Sequence, residues 1–167
     1  MITSYLIAFA IALVSQNISE WLFHKYVLHK LGLNRDSFFH YHWEHHRRCK
    51  KNNNIDSDYV IFFMSGIPSK MITKEIFLML GANLLIALPT YLFVWPPLGI
   101  AYFVVAWYYY FSHALSHASP RFNFLMPWHK DHHTLSNQHH NWCVTFPWLD
   151  WFAGTRVKAP KSTQRVS

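Results

Sequence analysis

Ten of the chain's 13 histidines fall into four short groups, and their spacing is that of metal ligands. His24 and His29 form an HX4H, His42, His45 and His46 an HX2HH, His113 and His117 an HX3H, and His129, His132 and His133 a second HX2HH. On a helix, residues i and i+4 share a face and i+3 lies on its shoulder. Each HX2HH is therefore expected to aim three imidazoles at one side of a helix, and the HX3H two. HX4H is out of phase by roughly 140° on an α-helix. Either its members serve different metals, or the helix ends between them. Ten neutral imidazoles suit two metal ions with about five ligands each, a dinuclear centre, and imidazole accepts iron, zinc, copper or nickel.

Other residues near these groups are candidates to orient the ligands. Metal-bound imidazoles donate their second N–H to a carboxylate or carbonyl, and His40, His139, His140, Asn141 and Asp150 lie close enough in sequence to take part. Glu44 and Asp131 sit inside the HX2HH groups, but helical spacing turns each away from its own cluster, toward solvent or a salt bridge. Cys49 and Cys143 match no zinc-finger spacing and lie in basic stretches. They predict a reducing compartment without a disulfide, with Cys49 at the surface beside Arg47, Arg48 and Lys50.

The elements that position these groups follow from the apolar and charged patterning. Only 14% of the chain is charged, against about 25% in ordinary soluble domains. Every Lys and Arg lies in 25–74 or 121–165, and from Ile76 to Ser119 there is no Asp, Glu, Lys or Arg. The net charge of +7 is thus confined to two blocks. They carry no nucleic-acid-binding motif and read as cytoplasmic flanks of membrane helices. About 20 residues span the hydrocarbon. The pattern predicts an all-α integral membrane domain over 1–158 with spans at about 2–23, 75–94 and 98–116. A segment at 59–71, too short to cross, lies in the interface or re-enters, and 159–167 is a polar tail. No basic residue precedes the first apolar stretch and no small-residue cleavage site follows it, so it reads as a retained helix rather than a signal peptide. Its inner half is polar (Ser15, Gln16, Asn17, Ser19, Glu20) and must face protein. Trp95-Pro96-Pro97 turns the hairpin, whose aromatic run Trp107–Phe111 is expected to line a lipid tunnel. Counting crossings delivers every histidine group and the C-terminus to the charged, cytoplasmic face, as a histidine-rich helical cap. The N-terminus lies on the opposite side.

In this order and around such a hairpin, the four groups resemble the fatty acid hydroxylase/sterol desaturase superfamily, most closely its fatty acid 2-hydroxylases. Asn141–Thr155 (NWCVTFPWLDWFAGT) also resembles that superfamily's closing N-[YF]-G-x-T-x-P-x-x-D-x-x-x-G-T, with Cys143 in the place of its Gly. The resemblance covers about 20–155. It implies that the ten grouped histidines ligate two iron ions, that zinc can replace them in purified protein, and that O2 is the co-substrate for oxidising a C–H bond of a fatty acyl or related lipid. Three spans stand where larger relatives have four. With no cytochrome b5 domain in this sequence, the electrons come from a separate cytochrome b5- or ferredoxin-like donor. Compact carotenoid hydroxylases are similar but carry HX4H as their third group, where this chain has HX3H. Sterol or lipid desaturation begins with the same hydrogen abstraction. Two readings of another class are a zinc-dependent membrane hydrolase, which would use fewer ligands, and a non-catalytic metal-binding membrane protein. A transporter would place its histidines near the midplane, whereas these lie at one end of the spans.

Overall fold

The structure, a computed structural model, describes residues 2–160. Among them it is all-helical, with no strand. Helix α1 (Ile2–Leu22) passes without interruption into a π-helix over Phe23–Lys30 and a short turn to Leu33. The continuous helix is therefore ten residues longer than the expected 2–23. A 3-10 turn at Phe38–His40 leads into α2 (Tyr41–Lys51), the carrier of the first HX2HH. Asn53 and Asn54 then take positive φ, 50° and 77°, a conformation asparagine tolerates better than most residues. They turn the chain into α3 (Ser57–Ser65), which Asp56 caps by accepting from Asp58 N. Gly66 ends α3 in the left-handed conformation, and Ser69 caps α4 (Lys70–Ala82). Within 59–71 the chain is thus most of a helix, a turn and the start of the next helix, with Ile61, Phe63, Met64 and Ile67 exposed.

Helix α4 continues through π segments to Val94, and Trp95, extended at φ −158°, breaks it. Helix α5 (Pro96–Ala118) begins on the double proline, which supplies no N–H where none is needed. The hairpin closes tightly: a Cβ on Gly99 would collide with the backbone of Tyr91. Helices α1 and α5 pack through Ala8, Ala12, Ala101 and Val105, small side chains that let two helices approach closely. Leu28, Tyr41, Tyr59, Met71, Ile72 and Ala114 form a second core beneath the histidines. The last third contains a 3-10 turn (Pro120–Leu125), α6 (Pro127–Thr134) and α7 (Trp148–Phe152), each beginning at or just after a proline. Of the expected tail, residues 159 and 160 have no regular structure and 161–167 lie outside the described residues.

Among the described residues, two helices, Ile2–Leu33 and Lys70–Val94, are long and apolar enough to cross a membrane. Helix α5, the third expected span, has the length but not the apolarity. Its Tyr108–Tyr110, Ser112, His113 and Ser116 lower its hydropathy, and its inner half is largely buried against the rest of the protein.

Candidate metal centre

The structure brings all ten grouped histidines together, buried, in two sets of five. His24, His29, His42, His46 and His132 form the first, and His45, His113, His117, His129 and His133 the second. Within each set the ligand nitrogens lie within 4.8 Å of one another. The sets adjoin, with the rings of His46 and His133 4.3 Å apart. Each HX2HH is shared, contrary to the expectation that it aims three rings one way. The i,i+4 pair His42/His46 serves the first set while His45 reaches the second. On α6 the pair His129/His133 serves the second while His132 reaches the first. The i+3 shoulder is what lets one helix bridge two centres. The expected division of HX4H between two metals is also corrected. A π-helix closes i→i+5 hydrogen bonds, so His24 and His29 return to one face, their rings 5.0 Å apart.

Local hydrogen bonds fix the tautomers. His24 Nδ1 donates to Trp142 O (2.7 Å), His117 Nδ1 to Asn54 O (2.7 Å) and His132 Nδ1 to His140 O, while His45 Nδ1 pairs with Asp56 Oδ2 (2.6 Å). With Nδ1 carrying the proton, each Nε2 presents a lone pair inward. Those Nε2 atoms converge: His24–His42 3.1 Å, His42–His46 2.9 Å, His46–His132 3.2 Å, His117–His129 3.1 Å and His129–His133 3.0 Å. Lone pairs gathered this closely repel unless a cation lies between them. Ligands about 2.1 Å from one ion are ~3.0 Å apart at right angles and ~3.4 Å apart in a tetrahedron. The spacings fall in the range shown by ligands that share one ion, and the donor set fits a pair of first-row transition-metal ions. Burial, then the neighbouring imidazoles, holds His42, His46, His129 and His133 well below the ordinary imidazole pKa, hence neutral and ligand-ready. Nδ1 of His29, His46, His129 and His133 has no hydrogen-bond partner among the described residues.

The supports come partly from expected residues. Asp150 is fully buried and accepts from Trp142 N, Cys143 N and Thr155 Oγ1, shaping the loop whose Trp142 carbonyl holds His24. The polar inner half of α1 binds the same loop. Glu20 accepts from Val144 N, Thr145 N and Thr145 Oγ1, and Asn17 donates to Phe146 O and accepts from Leu149 N. Asn141, at φ 57°, ties the loop to Val157 through its amide. His140 contributes its carbonyl rather than its ring. His139 is exposed, with its ring 5.7 Å from that of His29. The His40 ring bonds to Gly32 O and belongs to neither set. Asp131 pairs with Arg156 at 2.7 Å, and exposed Glu44 lies 3.8 Å from Arg47, so both turn away from the ligands. Cys49, expected at the surface, is fully buried, its Sγ 3.3 Å from His117 Nδ1. As part of the basic run it reads as exposed, but at i+4 from His45 it belongs to the ligand face.

Four supporting residues escaped the sequence reading: Asn54, Asp56, Tyr59 and Glu75. Asp56 orients His45, caps α3 and pairs with Arg48 Nε at 2.7 Å. Burial opposes its charge, but the His45 and Arg48 bonds outweigh that and hold its pKa well below the usual carboxylate range. Its one sequence signal was the capping pattern of an Asp just before the apolar run from Tyr59. Tyr59 Oη lies 3.2 Å from His113 Nδ1 and donates to Glu75 Oε2 at 2.5 Å.

A cavity of about 530 Å³ opens beside both sets. His24 and His42 of the first and His113 and His129 of the second stand in its wall. Away from them it is lined mostly by apolar groups of α1, the α4 helix and α5, among them Phe23, Met79, Ile86, Ala87 and Ala106. Of the expected aromatic lining, Tyr109 and Tyr110 take part, whereas Trp107, Tyr108 and Phe111 do not. No family model matches this chain, and neither the curated proteins nor the solved structures compared with it include a match.

Proposed function

We propose that the protein is a membrane-embedded, O2-dependent lipid hydroxylase of the fatty acid hydroxylase/sterol desaturase type, built around a histidine-ligated di-iron centre. The observation that carries this reading is the placement of two complete five-imidazole sets beside one apolar cavity between long helices, each set contributing two rings to its wall. When bound, the iron pair supplies O2 activation and hydrogen abstraction. The protein's own contributions are separable from that. Trp142, Asn54, His140 and Asp56 hold the imidazoles in the ligating tautomer. The cavity takes up an apolar chain and excludes water. Five imidazoles in each set exceed the four ligands of a tetrahedral zinc site, which argues against the hydrolase reading. Large side chains exposed along α1 and α4, such as Leu6, Ile11, Leu84, Leu85 and Phe93, suit lipid contact. The basic blocks then put the histidine sets and the C-terminus on the cytoplasmic side. Electrons arrive from a separate donor, for which exposed Arg47, Lys50 and Lys51 on the outer face of α2 offer an attractive surface for an acidic protein.

The test is lipid analysis of cells expressing the chain under 18O2, beside cells expressing His45→Ala/His46→Ala at equal level. The expected result is a lipid that gains one 18O only with the unaltered chain. A lipid that loses two hydrogens without 18O would identify the desaturase of the same type. No lipid changed in either way, with the protein folded and iron-loaded, overturns the reading.

A further inference from the structure

We propose that Glu75 anchors the polar end of the ligand, and that the cavity selects a lipid bearing a hydroxyl group close to the carbon presented to the metal centre. This rests on the lipid-oxidising reading for its consequence, but not for the binding itself. The cavity wall holds two carboxyl groups, Glu20 and Glu75. Glu20 is occupied by the donors of Val144, Thr145 and Gln16. Among the described residues, Glu75 accepts from Tyr59 alone, through Oε2. Its Oε1 has no protein partner among the described residues, and the side chain is half-buried against the cavity. Of the other polar groups on the wall, Ser15 Oγ bonds Ile11 O, Gln16 bonds Glu20 and Asn83 Nδ2 bonds Met79 O, while Asn83 Oδ1 and Tyr110 Oη are, like Glu75 Oε1, without a partner among the described residues; Glu75 is the one carboxyl among these open groups. A carboxyl oxygen facing an apolar space invites a hydrogen-bonding group from the ligand, because leaving it unmade is costly. A hydroxyl serves in either protonation state of Glu75, donating to the carboxylate or accepting from the acid.

The position has a consequence for where oxidation falls. His113 Nδ1, Tyr59 Oη and Glu75 Oε2 form a chain of two short links, 3.2 and 2.5 Å. The carboxyl is therefore under about 6 Å from the ring of a metal ligand. A hydroxyl held there leaves its chain to run away past Met79, Ala82 and Ile86. Carbons near the hydroxyl, rather than the far end of the chain, then face the metals.

Binding to the iron-free, full-length chain in lipid nanodiscs tests this without any turnover, so a failure of the oxidase reading leaves the assay intact. Displacement of a fluorescent lipid probe is read with hexadecanol, hexadecane and palmitate. Hexadecanol should bind at least about tenfold more tightly than hexadecane, about one well-made buried hydrogen bond. Glu75→Leu should erase that preference while hexadecane binding persists, which also reports a folded cavity. Glu75→Gln, which keeps both donor and acceptor, should retain it. Hexadecanol binding no better than hexadecane, palmitate outcompeting it, no ligand binding at all, or a preference surviving in Glu75→Leu would each overturn the proposal.

Discussion

Asp56 shows how much of the site depends on single side chains outside the histidine groups. One oxygen orients His45, the other caps α3 and pairs with Arg48. Removing such a support typically costs 10- to 100-fold in metal affinity. Asp56→Asn should therefore weaken the second metal by about that factor, read by chelator competition, while Glu44→Gln, on the exposed face, leaves both metals unchanged. A pH effect follows from the buried imidazoles. Their folded pKa values lie well below the ordinary value, so below about pH 6.5 the unfolded chain binds protons that the folded chain refuses. Stability of the metal-free protein is then full above that pH and falls as pH drops toward 5, which thermal melts across pH 5–8 would measure. Melts that are flat or rise toward pH 5 would contradict buried, neutral histidines. The ten clustered histidines were legible because imidazole spacing is local. Asp56 and Glu75 were not, because their partners lie 11 and 16 residues away across turns that the asparagine run and Gly66 set.

At the scale of elements, the division of the histidines between the two sets comes from helix type, which spacing alone misjudged. HX2HH read as one three-pronged face, yet its i+3 member crosses to the neighbouring centre. HX4H read as split, yet the π-helix over Phe23–Lys30 reunites it. Sequence patterning carries no direct signal for a π-helix, since the apolar period there is too short to count. The segment gives a sharp test. An alanine inserted after Tyr26 turns His29 by roughly 100° and should empty the first set of metal. The same insertion after Asn34, in the connecting turn, should spare it, as metal analysis of the two variants would report. In the hairpin, Gly99→Ala forces a methyl group into the Tyr91 backbone. It should destabilise the fold by about 1–3 kcal/mol, the usual range for overpacking, seen as a lowered Tm with metal stoichiometry preserved in the folded fraction.

For the whole molecule, the helical class, the hairpin turn at Trp95-Pro96-Pro97 and the proline-broken last third could be read from apolar runs and breakers. The closure of the centre could not. It depends on Asn17 and Glu20 near the start of the chain binding a loop more than 120 residues later, and long-range pairing of this kind leaves no periodic trace. That closure buries Asn17 and Glu20 against protein, as the cost of polar groups in an apolar environment demands, whereas Ser19, expected to do the same, is exposed. Everything proposed for the molecule depends on what the ten imidazoles hold. The decisive measurement is iron content with Mössbauer spectroscopy on the chain purified anaerobically in detergent from cells grown on 57Fe. Two irons per folded chain are expected, magnetically coupled and lost on substitution of His45 and His46. A folded chain that binds no metal, or one that takes up a single ion with only one set occupied, would contradict this.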